Sequence, residues 1–201
     1  MIQANQPPVI LASQSASRRA LLQAAGLAFE TQPARIDETS VKQSCKSEGA
    51  TAADAAVLLA ELKAARIKAS GALVIGADQI LVCGDAWFDK PESLAQAREH
   101  LLALRGRTHT LATAVVCMRN GVRIWHHIVQ PRLTMRAFSD AFLDDYMASE
   151  GDALLETVGA YRLEGLGVHL FDVIDGEHSA ILGLPLLPLF GFLRQHGVLG
   201  K

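Results

Sequence analysis

Apolar extended runs alternate with helical segments along the chain, separated by glycines, prolines and capping residues. A chain punctuated this way packs its strands against helices, so the pattern implies an α/β fold. Val9–Ala12 reads as a buried strand that leads into a short helix closed by Gly26. Residues 29–34 read as a second strand, and the small polar stretch 44–51 reads as a loop. Thr51 and Asp54 form a capping box. The helix they open carries Ala56, Leu59, Ala60 and Lys63 at helical spacing and runs to about Ser70.

The stretch "ALVIGADQILVCGDAWFDKP" predicts two extended runs around a Gly84-Asp85 turn. Ser93 and Gln96 open a helix that reaches Leu104. Residues 109–136 read as a long hairpin, because Asn120-Gly121 is the turn dipeptide whose backbone twist matches paired strands. Ser139 starts a further helix, ended by Gly151. A glycine-rich stretch, 159–168, leads into a strand with an Asp175-Gly176 turn, and the last helix begins near Pro185. No repeat or linker interrupts the chain, so residues 1–201 are expected to form a single domain.

Half of the 201 residues are hydrophobic, enough for one sizeable domain or two small lobes. The net charge is −2 and no basic run occurs, which argues against a nucleic-acid polymer as partner. Cys45, Cys83 and Cys117 are odd in number and widely spaced, a pattern that fits neither a disulfide framework nor a zinc site. They suit a reducing cytoplasm. The opening "MIQANQPP" has no signal-peptide core, and the apolar tract Ala180–Leu193 is interrupted by Pro185 and Pro188. It falls short of the roughly 20 residues a membrane span needs, so a buried turn and core helix are expected there. The apolar content permits a homodimer.

Several constellations carry chemistry. Ser13, Ser15, Ser17, Arg18 and Arg19 crowd the start of the first helix. A helix N-terminus already attracts anions and disfavours cations, so arginines there point either to a bound phosphate or into water. Asp78 ends a buried run, a place for a metal ligand or a proton acceptor as well as for a plain turn aspartate. Lys90 precedes Pro91, which holds its backbone extended. It reads as a phosphate-reaching lysine or as a solvated one. Asp37-Glu38 suits magnesium or ordinary loop acidity. Lys63 lies mid-helix on an apolar face, either snorkelling to solvent or facing a polar cleft. His126 and His127 are adjacent on a strand and face opposite sides, and the other histidines are scattered, which argues against a transition-metal centre. Together, arginines and serines at a helix start, separate carboxylates and isolated lysines form an inventory for metal-assisted phosphoryl chemistry.

These residues resemble the Maf-like nucleoside triphosphate pyrophosphatases. The resemblance is carried in order by "LASQSASRRALL", "IDE", "LAELKA", "GADQ" with "DKP", "LRGRTHTLATAV", "GAYRLEG" and "GLPLLPL", over nearly the whole chain. It implies a Maf/inosine triphosphatase-like fold: a mixed central sheet flanked by helices, in two lobes with a nucleotide cleft between them. It implies hydrolysis of a nucleoside triphosphate to the monophosphate and pyrophosphate, with magnesium or manganese as cofactor. By the same resemblance Asp78, Lys90 and Glu38 are the catalytic residues, with Asp78 and Glu38 also holding the metal. Ser13, Arg18 and Lys63 would bind the phosphates, and Ser17, Gln79 and Glu164 the rest of the substrate.

Departures from the common pattern bear on the base. Ala16 stands where proline is usual. Gln79 and Glu164 resemble the branch that accepts 7-methyl-GTP, whereas that branch often places a bulky aromatic where this chain has Ser17. A glutamate accepts hydrogen bonds from the N1–H and amine of a guanine-type ring. The competing reading implied by the family is a nucleotide-binding regulator of cell division or septum formation in which hydrolysis is incidental.

Overall fold

The computed structural model describes residues 2–4 and 6–200. Among them, eight strands form a mixed sheet and seven α-helices accompany it. The strands are β1 (Val9–Leu11), β2 (Glu30–Thr31), β3 (Leu73–Cys83), β4 (Ala86–Phe88), β5 (Thr108–Arg119), β6 (Val122–Val129), β7 (Arg132–Met135) and β8 (Phe171–Asp175). The helices are α1 (Ala16–Ala24), α2 (Glu38–Ser47), α3 (Ala52–Arg66), α4 (Leu94–Leu104), α5 (Asp140–Glu150), α6 (His178–Ile181) and α7 (Leu186–Gln195). The strand order is β2-β1-β3-β5-β7-β8, with β4 also on β3 and β6 also on β5. β1 runs parallel to β2 and β3, while the β3–β4, β5–β6, β5–β7 and β7–β8 pairs are antiparallel. The α/β expectation holds, and the sheet is mixed as expected.

The chain divides into two compact units, and the division falls within β3 and within β5. One unit holds residues 1–79, 113–129 and 177–201; the other holds 80–112 and 130–176. The first has a continuous apolar core in which Leu11, Leu22, Ile75, Val115, Leu184 and Leu193 are fully buried. Each such side chain contributes about 1.5–3 kcal/mol of burial free energy. The expected buried turn and core helix at 180–193 are present: Leu184, Leu189, Phe192 and Leu193 all join this core. In the second unit, Leu101, Leu104, Leu133, Met135, Leu143 and Leu170 are fully buried.

Local chemistry explains the element boundaries. Ser15 caps α1, its hydroxyl accepting from Arg18 N at 3.3 Å. The Thr51–Asp54 capping box forms with both of its hydrogen bonds. Ser93 caps α4, but the Gln96 carbonyl oxygen accepts from Glu92 N at 2.6 Å rather than from Ser93. The Asn120-Gly121 turn joins β5 to β6, with both residues at positive φ.

Four local expectations need correction. Residues 44–47 belong to α2 rather than a loop: Asp37 caps that helix, its carboxylate accepting from Ser40 N at 3.0 Å and Ser40 Oγ at 2.7 Å. α3 ends at Arg66, four residues short of Ser70, because Ile67 already has extended dihedrals. The second strand shrinks to Glu30–Thr31 and pairs only with β1. The long hairpin is β5–β6 alone; beyond Pro131 the chain turns back as β7 onto the start of β5. α6 is a four-residue helix that no sequence signal announced.

Candidate active site

Five of the expected site residues meet in the first unit: Ser13, Arg18, Glu38, Lys63 and Asp78. The backbone explains how. Gly76 lies two residues before Asp78 on β3, and a Cβ there would sit 2.1 Å from Ala60 O and 3.0 Å from Ala64 Cβ. Only glycine lets α3 come this close to the strand. Ala60 and Ala64 take the contact, and Lys63, on the same face, is delivered beside Asp78.

Lys63 does not snorkel. Its side chain is buried, with Nζ 2.5 Å from Asp78 Oδ1 and 2.7 Å from Glu38 Oε1. One ammonium thus bridges two carboxylates. Asp78 Oδ2 is buried and has no hydrogen-bond partner among the described residues. Burial pushes the Asp78 carboxyl above the usual carboxylate range, with the charge of Glu38 adding to the rise and Lys63 and Arg18 opposing it. Burial also acts to raise Glu38, but Lys63, Lys42 and Arg18 outweigh it and hold that carboxyl below its ordinary value. Two neighbouring carboxylates therefore have their proton affinities pushed apart, a pattern that separates acid–base roles in active sites.

Arg18 answers the question of arginines at a helix start. It is buried, with Nε donating to Gly183 O at 2.8 Å and Nη1 donating to Ala77 O at 2.8 Å and Ser13 Oγ at 3.4 Å. Burial lowers its pKa, and Asp78 and Glu38 counter the shift. No hydrogen bond from Nη2 forms among the described residues. Arg18 therefore ties α1 to the backbone beside Asp78 and keeps one donor edge uncommitted. Arg19 is exposed. Ser13 is buried and accepts from Ser15 N at 3.2 Å, and Ser17 is half-buried on the first turn of α1.

Sequence reasoning missed Lys42. It lies one helical turn after Glu38 on α2, is buried, and acts electrostatically on the Glu38 carboxylate. The signal was the Asp37-x-x-Ser40 cap, which turns "acidic pair in a loop" into a helix start with a lysine four residues on. The same cap occupies Asp37, which is fully exposed; the bond from Ser40 N lowers its carboxyl. Glu38 alone of the pair faces the cluster.

Gln79 follows Asp78 on β3. Its amide nitrogen donates to Thr113 Oγ1 at 2.7 Å, Ala180 O at 3.0 Å and Ile181 O at 3.1 Å. Two of these partners are carbonyls, which fixes the nitrogen and leaves the amide oxygen as the acceptor end. Lys90 and Glu164 belong to the second unit. Lys90 is exposed, 3.5 Å from Glu156 Oε2. Glu164 Oε1 lies 3.9 Å from Arg162 Nε.

Among the described residues no group of three His, Cys, Asp or Glu side chains gathers as a metal site. Magnesium differs from zinc here: it uses one or two carboxylates and completes its shell with substrate phosphates and water. The unpartnered Asp78 Oδ2 beside Glu38 fits such a donor set. The three cysteines are free and buried. No helix among the described residues is long and apolar enough to cross a membrane.

Known proteins resemble this chain over nearly its whole length. The family model described as "Maf-like protein" matches residues 8–196. A protein of Granulibacter bethesdensis named nucleoside triphosphate pyrophosphatase is 55% identical over 193 residues, covering 95% of this chain and 98% of its own. One of Rhodospirillum rubrum with the same name is 55% identical, covering 96% of each chain. A protein of Rhizobium meliloti named 7-methyl-GTP pyrophosphatase is 46% identical, covering 96% of this chain and 98% of its own.

Proposed function

The chain belongs to the Maf-like protein family, and on that premise we propose that the Asp78 cluster is the active centre of a nucleoside triphosphate pyrophosphatase. The enzyme hydrolyses a nucleoside triphosphate to the monophosphate and pyrophosphate. The observation that carries the assignment of the centre is the buried Lys63 bridge between Asp78 and Glu38, with one Asp78 oxygen left unpartnered.

The residues divide the work. Water attacks the α-phosphorus, the α–β phosphoanhydride bond breaks, and pyrophosphate leaves. Asp78 takes the proton from the attacking water; its raised proton affinity makes it a stronger base than a solvated aspartate. Lys63 holds Asp78 in place through Oδ1. Arg18 offers Nη2 and its charge, with Ser13 beside it, to a phosphate oxygen, where a buried guanidinium stabilises the charge that develops in the transition state. Lys90, exposed beside Glu156 in its own unit, is the further triphosphate contact that the family resemblance implies. Asp78 and Glu38 would hold a divalent magnesium or manganese ion, which when bound supplies positive charge to the phosphates and favours ionised water.

Gln79 and Glu164 read the base. The Gln79 amide nitrogen is committed to backbone and Thr113, so it presents an acceptor. Each residue taken by itself offers an acceptor of the kind the N–H edge of a guanine-type ring needs, which supports a 7-methyl-GTP-like substrate. Ser17 lines the same substrate. The free cysteines fit a reducing compartment, and we place the enzyme in the cytoplasm. The septum-regulator reading is not favoured, since the relatives are named for hydrolysis.

Product analysis tests the reaction. The purified protein with manganese should convert nucleoside triphosphates to monophosphate and pyrophosphate in equal amounts. Diphosphate and inorganic phosphate as the products would contradict attack at the α-phosphorus.

A further inference from the structure

A residue that reads a base from a loop needs something to hold that loop. Glu164 lies on the irregular segment 162–166 of the second unit, where Gly165 N and Gly167 N both donate to Arg162 O, at 3.1 and 3.0 Å. Leu163 points inward and Glu164 is exposed. At the end of α5 the side chain of Glu150 is 5% exposed, far more buried than a carboxylate usually is. Its Oε2 accepts from Arg162 Nη1 at 2.8 Å and its Oε1 accepts from Leu166 N at 2.8 Å.

One buried carboxylate therefore grips the loop at both ends, two residues to either side of Glu164. The glycines make this possible: a Cβ on Gly165 would sit 2.7 Å from Glu150 Oε1, and one on Gly167 2.3 Å from Arg162 O. Tyr146, one turn earlier on α5, accepts from Arg162 N at 3.3 Å through its hydroxyl. Arg162 also stands beside Glu164, with Nε 3.9 Å from Oε1. The short contact of its fork goes to Glu150, and the longer one to Glu164.

We propose that Glu150 is a positioning residue for base selection: by gripping Arg162 and Leu166 it sets where the Glu164 carboxylate stands and how strongly Arg162 pulls on it. This rests on the reading that Glu164 accepts hydrogen bonds from a guanine-type nucleoside triphosphate. Without the Glu150 charge, the Arg162 guanidinium turns to the next carboxylate along, Glu164, and engages the oxygens meant for the base. A purely structural clasp would affect stability and all nucleotides alike. A positioning residue affects the ratio between nucleotides and acts only through Glu164.

The test measures kcat and KM with 7-methyl-GTP, GTP, UTP and dTTP for the wild type, Glu164→Ala, Glu150→Gln and the double variant. Selectivity is the ratio of kcat/KM between the most and least favoured nucleotide. Each single variant should lose about tenfold in that ratio, the size expected for one or two mis-set polar contacts. In Glu150→Gln the loss should lie in KM, with kcat on the least favoured nucleotide changed less than twofold. The double variant should be no less selective than Glu164→Ala, because the two residues act in series. Wild-type selectivity in Glu150→Gln alongside a collapse in Glu164→Ala would overturn the proposal and keep the base reading. Additive losses in the double variant would do the same. Wild-type selectivity in Glu164→Ala would overturn both. If Glu150→Gln does not fold, Arg162→Gln releases the loop from its more exposed end and should change selectivity on the wild-type background but not on the Glu164→Ala background; wild-type selectivity in Arg162→Gln would overturn the proposal.

Discussion

Lys63 Nζ lies 2.5 Å from Asp78 Oδ1, both side chains buried, while Asp78 Oδ2 has no hydrogen-bond partner among the described residues. The two oxygens of one carboxylate are therefore unlike. One is anchored; the other is desolvated and unsatisfied, a costly state that a ligand or a reaction at this oxygen would relieve. Removing one partner from such a buried pair leaves an uncompensated charge, so the relationship can be tested from the lysine side.

Lys63→Met should move the acidic limb of the pH–rate profile to higher pH. Lys63 opposes the rise of the Asp78 carboxyl and holds Glu38 down, so its loss raises both. The linkage has a definite sign. A carboxyl raised on folding binds its proton more tightly in the native state, so stability falls as pH rises from the unfolded value, about 3.9, through the folded one. Without Lys63 that window extends upward. Urea unfolding should show a larger loss relative to the wild type near pH 8 than near pH 5.

Arg18→Lys keeps the charge but loses the planar fork that reaches Gly183 O and Ala77 O together. The loss should cost about 1.5–3 kcal/mol, read as a lower denaturation midpoint at unchanged slope. kcat should fall as well, because the backbone beside Asp78 loses its tie. A substitution without effect on stability would mean that Arg18 serves substrate alone.

Much of this was legible in the sequence, for identifiable reasons. The α/β alternation, the Ser15, Thr51, Ser93 and Ser139 caps and the Asn120-Gly121 hairpin are local, and local hydrogen bonds decided them. The start of α2 was missed because "Asp37-Glu38" reads as loop acidity until Asp37 is recognised as a cap. That one error hid Lys42 and left Glu38 without a helix to place it. The bridging role of Lys63 was not legible, since a lysine on an apolar face reads equally as snorkelling. Its destination depends on Gly76 letting α3 approach β3, a contact between distant segments. Glu150 carried no sequence signal; only the fold of residues 162–166 around it shows its use.

Divalent metal should stabilise the folded protein through Asp78 and Glu38. Magnesium or manganese that engages the unpartnered Asp78 oxygen should raise Tm with increasing concentration, following mass action. The shift should vanish in Asp78→Asn and shrink in Glu38→Gln. Chelation should abolish pyrophosphate release, and added metal should restore it. An equal thermal shift in Asp78→Asn would place the metal elsewhere.

His109 should give the protein an acid-sensitive fold independent of catalysis. It is 2% exposed, with Nε2 3.0 Å from the Tyr161 hydroxyl and Nδ1 without a hydrogen-bond partner among the described residues. Burial pushes its pKa down to about 4. The unfolded chain binds a proton that the folded one refuses between about 6.5 and that lower value, so stability is lost as pH falls through this window. The whole window is worth about 3 kcal/mol by linkage. His109→Gln should flatten this part of the stability–pH curve, whatever its effect on the plateau at neutral pH.

The most direct test of the account is pyrophosphate release from a panel of nucleoside triphosphates by the wild-type and Asp78→Asn proteins, side by side with manganese. Asn keeps the size of the side chain but removes the charge held by Lys63 and the base for the water proton. The account predicts that the wild type releases pyrophosphate and that Asp78→Asn, folded by its thermal transition, loses at least about a hundredfold in kcat, the scale of a lost general base. Undiminished release by Asp78→Asn would contradict the assignment of the active centre.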